Sequence, residues 1–369
     1  MNTKTKIFAR AAALITAAVL LGACIFGSCK NASGGGGNSA GSSAGGNAGA
    51  SGSGSIGGGS SGSGGSGGGT GNNVPAAPFV AGGVSLVLSP GTSEISIGIA
   101  PNYGRNVTIE GCKENTFTNS STVHPTGTIV ILKGTITHLE CYNNKLTALN
   151  VQGLKDLEKL NCSINKIAAL NVQGLSALKE LSCQSNELTE LNLQGLTKLE
   201  KLNCGINKIT ALNVQGLSAL KELSCYGNKI AELNVRGLHA LKELSCAENQ
   251  LTALNVQGLT KLEKLECREN QLTALNVHGA TKLKMLYCQH NKLDVQTVRT
   301  LLTDLPKAQY SYDKPMCTLY TERGGEQNPM DFTSPSADPG LKAAFDEAKT
   351  VKQWKMGKET KGNSWEDIL

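Results

Sequence analysis

The residues of this chain with the greatest chemical potential are cysteines. Eight of them recur at a fixed spacing of 21 residues. They are Cys141, Cys162, Cys183, Cys204, Cys225, Cys246, Cys267 and Cys288. Such a column can form disulfides, bind a metal or supply a thiolate nucleophile, depending on its geometry and on the pKa of the thiols. A period of this length also predicts a solenoid, in which neighbouring repeats bury each other's apolar faces.

Each kind of cysteine chemistry sets its own requirement. Adjacent parallel strands keep in-register Cβ atoms about 4.8 Å apart, whereas a disulfide needs roughly 3.8 Å. An apolar interior disfavours the thiolate that metals and electrophiles require. We therefore expect free structural thiols, with bridges, metal binding or reactivity as the alternative. The five histidines lack metal-ligand spacing: His124, His138, His239, His278 and His290.

Other catalytic signals are missing from the sequence. It contains no phosphate-binding loop, nucleophile elbow or paired-carboxylate motif. The sequence therefore predicts a protein that is not an enzyme and that uses neither a cofactor nor a metal.

The positions around each cysteine predict a short strand. In the repeat LEKLNCSINKIAALNVQGLSA from Leu157, Leu160 and Cys162 are two residues apart and should both point inward. Lys159, Asn161 and Ser163 should then point outward. Stacked copies would form a parallel sheet. The inward residues after the strand return the chain in too few residues for a full helix: Ile167, Leu170, Val172 and Leu175.

An asparagine follows each strand at the same place, and its amide can bond backbone groups of its own and adjacent repeats. The column consists of Asn144, Asn165, Asn186, Asn207, Asn228, Asn249, Asn270 and Asn291. We interpret it as structural.

The frame LxxLxCxxNxLxxLNVQGLxx, repeated from Ile136 to Leu293, resembles the leucine-rich repeat. Its length, and the cysteine in place of the third leucine, are similar to the cysteine-ladder repeats of internalin J, a bacterial surface adhesin. The resemblance implies a leucine-rich repeat solenoid, α/β-horseshoe-like but β-rich, with a parallel sheet. It also implies protein binding. Eight rungs about 4.8 Å apart span roughly 38 Å, enough for a protein-sized contact surface.

The N-terminus predicts export and a lipid anchor. Lys4, Lys6 and Arg10 precede an apolar run that ends in Leu-Gly-Ala-Cys, which resembles a bacterial lipobox. Residues 1–23 are thus expected to be a lipoprotein signal peptide, with lipidation at Cys24 or, alternatively, at Cys29. Residues 24–73, which carry the anchor, are rich in glycine and serine and are expected to be a flexible linker. We expect a lipid-anchored protein of the bacterial cell envelope, exposed at the cell surface.

Three further segments complete the organisation. Residues 74–135 predict a β-rich N-terminal cap, with strands at 84–88, 94–99, 107–109 and 128–132. Residues 136–293 are the eight repeats. Residues 294–369 predict an α+β C-terminal cap, in which Asp294 begins one helix and Asp338 another.

The composition of the surface favours a protein as the binding partner. The chain carries 35 basic and 29 acidic residues, a net charge of +6, without a basic patch that would indicate nucleic-acid binding. Within the repeats, basic and acidic residues alternate along columns, and this alternation is interrupted where Glu222 is followed by Glu243.

We therefore expect any protein ligand to contact the C-terminal half of the concave sheet, because larger outward residues lie there. The candidates are Tyr226, Glu243, Lys264, Glu266, Arg268, Met285, Tyr287 and Gln289. The partner class is a host protein or another bacterial surface component. The alternative function is a structural or self-associating envelope protein without a host ligand.

Overall fold

The computed structural model describes residues 76–100, 106–117, 122–308, 314–321, 338–359 and 365–368. The signal peptide and the linker predicted for residues 1–73 lie outside these residues.

The N-terminal part is β-rich, as the sequence predicts. Its strands are β1 (Gly83–Leu88), β2 (Ile95–Ser96), β3 (Gly98–Ala100), β4 (Thr108–Glu110), β5 (Thr122–Val123) and β6 (Ile129–Lys133). Five of the six strands overlap the predicted runs, and β5 was not predicted. The run 94–99 divides, because β2 pairs with β5 while β3 pairs antiparallel with the first repeat.

The first repeat is joined to this part by backbone pairing. Its second strand, β8 (Leu146–Asn150), follows β7 (His138–Glu140) and pairs antiparallel with β1. An antiparallel sheet of order β4-β6-β1-β8 results. Gly153 is required beside this junction, because a Cβ there would lie 1.9 Å from the carbonyl oxygen of Val80. The first repeat therefore belongs to both sheets.

The repeats contribute one short strand each to a parallel sheet, which we call the ladder sheet. After β7 these strands are β9 (Lys159–Asn161), β10 (Glu180–Ser182), β11 (Lys201–Asn203), β12 (Glu222–Ser224), β13 (Glu243–Ser245), β15 (Lys264–Glu266) and β17 (Met285–Tyr287). Each pairs in register with the next, so Leu181 lies opposite Leu160 and Leu202. We number the repeats 1 to 8 by their ladder cysteine, from Cys141 to Cys288. The predicted leucine-rich repeat solenoid is confirmed.

In the repeat from Leu157, burial follows the predicted two-residue alternation with one exception. Leu160 and Cys162 are buried, and Lys159 and Asn161 are partly exposed. Ser163, predicted to point outward, is only 4% exposed, and its Oγ lies 2.8 Å from the Oγ of Ser182. A small side chain at the end of the strand is covered by its neighbours in the next repeat, so its exposure does not follow from alternation alone.

The asparagine column is structural, as predicted. Asn186 Nδ2 donates to the carbonyl oxygens of Cys162 and Cys183, both at 3.0 Å, and its Oδ1 accepts from the Ile167 N–H at 3.0 Å. One amide thus ties two repeats together and satisfies buried backbone groups. In repeat 1 the same position, Asn144, instead bonds both backbone polar groups of Ser96, which lies before β3.

The outer side of the repeats contains turns and no helix in the described residues, as the spacing predicts. Two short strands there, β14 (Ala253–Asn255) and β16 (Ala274–Asn276), form a second parallel pair.

The C-terminal part extends the ladder sheet. Helix α1 (Val295–Asp304) is capped by Asp294 and followed by β18 (Met316–Thr321); helix α2 (Pro339–Thr350) is capped by Asp338 and followed by β19 (Lys355–Glu359). Strands β18 and β19 continue the parallel sheet, with Cys317 opposite Leu286 and Met356 opposite Cys317. Strand β20 (Trp365–Asp367) closes it antiparallel. Both predicted helices are confirmed. The sequence also predicts strands within residues 310–320, and β18 overlaps the end of that range, but β19 and the place of both strands as further parallel rungs were not predicted.

Candidate protein-binding face

The side chains beside the buried leucines form the exposed face of the ladder sheet, which we call the ladder face. In repeats 2 to 5 it is a regular arrangement of paired charges. Lys159 lies 3.4 Å from Glu180, and Lys201 lies 2.7 Å from Glu222. In the preceding column, Lys179 pairs with Glu158 at 2.9 Å and Lys221 with Glu200 at 2.6 Å. Each charge has its partner in the neighbouring repeat.

This pairing stops between repeats 5 and 6. Glu222 lies opposite Glu243 in the sheet register, and Lys221 precedes Lys242 in the adjacent column. Lys242 and Glu243 are both exposed, and neither makes an ion pair within the part of the chain that the structure describes. Glu243 does lie opposite Lys264 in the next strand, and the pairing resumes where Lys284 lies 3.1 Å from Glu263. The interruption is therefore confined to Lys242 and Glu243, which lack a close ion-pair partner among the described residues.

In repeats 6 and 7, two neighbouring side chains contact the carboxylate of Glu266. Glu266 accepts a 2.6 Å contact from Lys264 and a hydrogen bond from the Ser245 hydroxyl at 2.9 Å. Lys264 and Glu266 have side chains that are 31% and 26% exposed, so both are held close to the sheet. The alignment of Ser245 with Glu266 follows from the register of β13 and β15.

Arg268 lies at the centre of a second group. Its guanidinium lies 3.1 Å from Glu248 and 2.7 Å from Glu269, and its side chain is 30% exposed. A planar guanidinium held by two carboxylates is fixed in orientation, and it still offers an exposed surface for stacking or hydrogen bonding. Fixed arginines of this kind are frequent at the centres of protein interfaces.

Tyr226 packs across the neighbouring repeat. A Cβ added to Gly205 would lie 2.4 Å from the Tyr226 ring, so the ring occupies the space that this glycine leaves. Burial raises the pKa of Tyr226, and the charges of Glu248 and Glu266 act in the same direction. The tyrosine is thus a half-buried neutral aromatic beside the acidic group.

The last two exposed candidates lie on β17. Tyr287 is half-buried and lies opposite Glu266, while Met285 is 36% exposed and lies opposite Lys264. Burial raises the pKa of Tyr287 as well. A methionine and a tyrosine on adjacent columns give this end of the ladder face its apolar contact area.

One candidate is not where the sequence suggests. Gln289, predicted to be an outward contact residue, is 3% exposed. Like Ser163, it occupies the position after the ladder cysteine, where exposure depends on the size of the neighbouring side chains. The other seven candidates have exposed or partly exposed side chains. Their role in binding remains a prediction.

Sequence reasoning missed three residues that organise this face: Ser245, Glu248 and Glu269. Glu248 and Glu269 follow the strand, at a turn position that strict alternation does not assign to either side. Glu248 and Glu269 are 21 residues apart, and Glu269 directly follows Arg268 in the sequence. These two features could have identified them.

The ladder cysteines are buried and free, as expected. Burial raises the pKa of Cys162, Cys204 and Cys246 to about 12. For Cys183 and Cys267 burial is again the main cause of a pKa well above the ordinary value. A thiol that stays protonated is neither a nucleophile nor a metal ligand. Among the described residues, no cluster of histidine, cysteine, aspartate or glutamate could hold a metal ion.

The candidate lipidation residues Cys24 and Cys29 lie outside the described residues. In the part of the chain that is described, no helix has the length and apolar character needed to cross a membrane.

Comparison with known proteins gives partial similarities only. No family model and no curated protein matches the chain. Among solved structures, the chain is similar to the functional domain of InlJ from Listeria monocytogenes, which includes a cysteine ladder; the identity is 30%, the coverage 50% of this chain and 49% of that one, and the TM-score 0.38.

Two further solved structures are similar over comparable lengths. The Leptospira interrogans leucine-rich repeat protein LIC12759 is 31% identical, with coverage of 46% of this chain and 47% of that one and a TM-score of 0.43. The leucine-rich repeat domain of APL1B is 21% identical, with coverage of 40% and 45% and a TM-score of 0.35. The match thus spans about half the length of each of these structures.

Proposed function

We propose that this chain is a lipid-anchored bacterial surface protein that binds another protein through the C-terminal half of its ladder face. The observation that carries the proposal is the contrast within that face. On the ladder face, the charges of repeats 2 to 5 form close pairs, whereas Lys242 and Glu243 of repeat 6 lack a close ion-pair partner and lie near the fixed Arg268 of repeat 7 and the half-buried Tyr226 and Tyr287 of repeats 5 and 8. Aromatic and arginine side chains in partly desolvated surroundings are the usual anchors of protein interfaces.

Binding fits this chain better than catalysis does. The most abundant reactive groups are the ladder thiols, and burial holds seven of them in the protonated form. The repeat's resemblance to that of a bacterial adhesin makes a host protein, or another bacterial surface component, the partner class that we propose. The lipid would hold the protein at the cell envelope, and the glycine- and serine-rich segment would separate the solenoid from the membrane.

The binding proposal is tested by site-specific photo-crosslinking. A photoreactive amino acid is placed at position 287 or, as a matched control on the same face, at position 180 in repeat 3. Incubation with the candidate partner proteins of the host or bacterial surface should give a discrete adduct from position 287 and not from position 180. Equal labelling from both positions would contradict the proposal that the C-terminal half is the binding region.

The anchor is tested separately by metabolic labelling with a radioactive fatty acid. The unaltered chain should incorporate label and partition into detergent, and the Cys24→Ala, Cys29→Ala double variant should do neither. The two single variants then identify the modified cysteine. Label retained by the double variant would exclude lipidation at this site.

A further inference from the structure

The turns that follow the ladder strands stack into a row along the solenoid. The residue two positions after each ladder cysteine lies in this turn and adopts the left-handed backbone conformation, with φ between 50° and 64°. This turn column contains Asn143, Ile164, Ser185, Ile206, Gly227, Glu248, Glu269 and His290. Glycine and asparagine tolerate positive φ, whereas a β-branched residue is a rare outlier there. Ile164 and Ile206 are therefore poorly suited to their own backbone conformation.

Both isoleucines are also exposed. Ile164 is 46% exposed and Ile206 is 45% exposed, so burial does not compensate for the unfavourable conformation. Tyr142, which precedes the turn residue of repeat 1, is 42% exposed. Among the described residues, three of the seven exposed large apolar side chains thus lie in this row of turns, within repeats 1 to 4. Exposed apolar residues that are clustered in this way indicate a contact surface, whereas single scattered ones do not.

Tyr226 extends this apolar row to repeat 5. A Cβ added to Gly205 would lie 2.4 Å from the Tyr226 ring, and a Cβ added to Gly227 would lie 3.5 Å from Cγ1 of Ile206. The side chain of Tyr226 therefore extends towards repeat 4, and that of Ile206 extends towards repeat 5. The two glycines thus provide space for two apolar side chains from neighbouring repeats.

A row of lysines accompanies the apolar row. Two positions after the turn residue, repeats 1 to 5 carry the exposed residues Lys145, Lys166, Glu187, Lys208 and Lys229. Glu187 and Lys208 form a pair at 3.0 Å, whereas the other three lysines make no ion pair within the part of the chain that the structure describes. Two exposed glutamates, Glu190 and Glu232, lie three positions beyond this row. Four lysines against three glutamates leave a small positive charge.

Repeats 6 to 8 have a different composition at the same positions. Their turn residues are Glu248, Glu269 and His290, and the residues aligned with the lysine row are Gln250, Gln271 and Lys292. The stacking of the repeats continues through them with the same positive φ. The fold therefore requires neither exposed isoleucines nor a row of lysines, and both are features of repeats 1 to 5.

The combination of exposed aliphatic, tyrosine and lysine side chains matches the boundary region of a lipid bilayer. Apolar side chains enter the boundary between headgroups and acyl chains, tyrosine lies at the level of the headgroups, and lysine contacts anionic headgroups. A peptide strand fits less well, because the N–H groups of Ile164 and Ile206 already donate to carbonyl oxygens of the next repeat. A soluble polyanion would leave both isoleucines in water.

We propose that the edge strip, formed by Tyr142, Ile164, Ile206, Tyr226 and the lysine row of repeats 1 to 5, docks on the surface of an anionic lipid bilayer. Five rungs about 4.8 Å apart make the strip roughly 19 Å long. Its small size and small net charge make the docking weak for a free chain. Neither the proposed lipid anchor nor the proposed protein ligand is needed for it.

A lipid anchor would strengthen this docking by tethering. The strip begins at repeat 1, to which the residues that follow the predicted linker are bonded, since the Asn150 side chain donates to the Ala77 carbonyl at 3.2 Å. A tether converts a weak contact into one at high effective concentration. Glu248 and Glu269 would be repelled by the same surface, so Arg268 and Tyr287 on the C-terminal half of the ladder face would stay accessible to a ligand.

The test is co-sedimentation with vesicles of the chain without residues 1–29, which removes the predicted signal peptide and both candidate lipidation cysteines. All contacts described above lie within residues 76–368 and are retained. The probe is vesicles of phosphatidylglycerol and phosphatidylcholine in equal amounts, and the reference is phosphatidylcholine alone. Binding to the anionic vesicles should be at least tenfold stronger and should weaken as salt is added. A chain that binds neither kind of vesicle at about 5 mM lipid would overturn the proposal.

The apolar part of the strip is tested by Ile164→Asn with Ile206→Asn. This variant should bind the anionic vesicles at least tenfold more weakly, while its thermal unfolding midpoint stays the same or rises, because asparagine suits the left-handed conformation. The control is Val351→Asn, at a position outside the strip that is 56% exposed, and it should bind like the parent. Parent-like binding by the isoleucine variant would show that the strip is not the contact surface.

The lysine row is tested by a charge-matched pair of triple variants. Lys145→Gln, Lys166→Gln and Lys229→Gln should together remove most of the preference for anionic vesicles. The control, Lys198→Gln, Lys261→Gln and Lys282→Gln, removes the same charge from exposed positions outside the strip and should keep the preference. An equal loss in both would show that only the net charge of the chain matters and would contradict the proposal.

Poly-glutamate tests the other class of partner, an acidic peptide. It should bind the parent more weakly than the anionic vesicles do, and the Ile164→Asn, Ile206→Asn variant should bind it as the parent does. Binding of poly-glutamate that is as tight as vesicle binding and that depends on the isoleucines would identify a peptide-binding surface, and the membrane proposal would be wrong.

Discussion

Repeats 2 to 5 and repeats 6 to 8 share one interior and differ in their surfaces. Leu202 and Leu244, or Cys204 and Cys246, are equivalent and buried in both halves. On the ladder face, the first half alternates lysine and glutamate in close pairs, and the second half has Lys242 and Glu243 unpaired and Arg268 between two carboxylates. Because each repeat is stabilised by its interior and its two neighbours, the exposed positions can change without altering the fold.

The comparison predicts, first, that thiol reactivity does not distinguish the halves. Cys183 in repeat 3 and Cys267 in repeat 7 are both buried, and burial raises the pKa of both. Each should react with a thiol reagent more slowly than a free cysteine by a factor on the order of a thousand or more, since reaction requires opening of the stack. Mass spectrometry of quenched labelling reactions measures both rates. Rapid labelling of only Cys267 would show that the second half is less well packed.

The second prediction concerns the asparagine column. Asn207→Ala and Asn249→Ala should each lower the free energy of unfolding by about 2–4 kcal/mol, because each leaves several backbone groups without a partner. Asn207 donates to the Cys183 and Cys204 carbonyls, and Asn249 donates to those of Cys225 and Cys246. Urea denaturation measures the loss.

The matched control for both variants is Asn213→Ala, which removes an exposed amide that accepts from the Gln215 N–H at 3.0 Å. Its cost should be clearly smaller. A large difference between Asn207→Ala and Asn249→Ala would contradict the equivalence of the two interiors.

The third prediction concerns the ladder face. Changing Tyr226, Arg268 and Tyr287 together to serine should weaken capture of the protein partner at least tenfold, or about 1.4 kcal/mol, with an unchanged circular dichroism spectrum. The control in the other half is Lys159→Ser, Glu180→Ser and Lys201→Ser, which should leave capture unchanged. Because Tyr226 also packs across Gly205, the double variant Arg268→Ser, Tyr287→Ser separates ligand binding from the loss of this packing contact. Unchanged binding by the triple variant would show that the binding site lies outside the ladder face.

The smallest effect is expected from the paired charges of the first half. Hydrogen bonds from Lys179 and Lys221 lower the pKa values of Glu158 and Glu200, respectively. A carboxyl group with a lower pKa in the folded state stabilises the fold above its unfolded pKa, and this contribution is lost as the pH falls through the folded pKa. NMR titration should therefore show both groups ionising below the ordinary glutamate range, and added salt should reduce the shift.

The Glu158→Gln, Glu200→Gln variant should correspondingly lose a small part of its acid-dependent stability, since exposed ion pairs contribute little. An ordinary pKa at both positions would mean that the observed pairs are not maintained in solution.

Much of the fold could be predicted from spacing alone. The 21-residue period, the two-residue alternation around Leu160 and the capping residues Asp294 and Asp338 are local signals, and the structure confirms the elements that they predict. Strands β18 and β19 could not be recognised as further rungs, because Cys317 and Met356 replace the repeated leucine and lie 31 and 39 residues from their counterparts in the preceding rung. Their place depends on how α1 and α2 pack.

The candidate face could be predicted less completely. Tyr226, Arg268 and Tyr287 follow from composition and alternation, but the burial of Gln289 and the fixing of Arg268 by Glu248 and Glu269 depend on side chains one repeat away. Such contacts join residues about 20 positions apart, and alternation within a single strand does not specify them.

By itself, then, the sequence determined the solenoid, its parallel sheet and its buried cysteine column, because periodic apolar residues have only one efficient way to be buried. Only the tertiary structure decided which turn residues are held at positive φ and which polar side chains are covered. The hydrogen bonds between repeats impose the positive φ, as at Ile164 and Ile206. The size of the side chain in the neighbouring repeat decides which positions after the strand are covered, as where Tyr226 lies across Gly205.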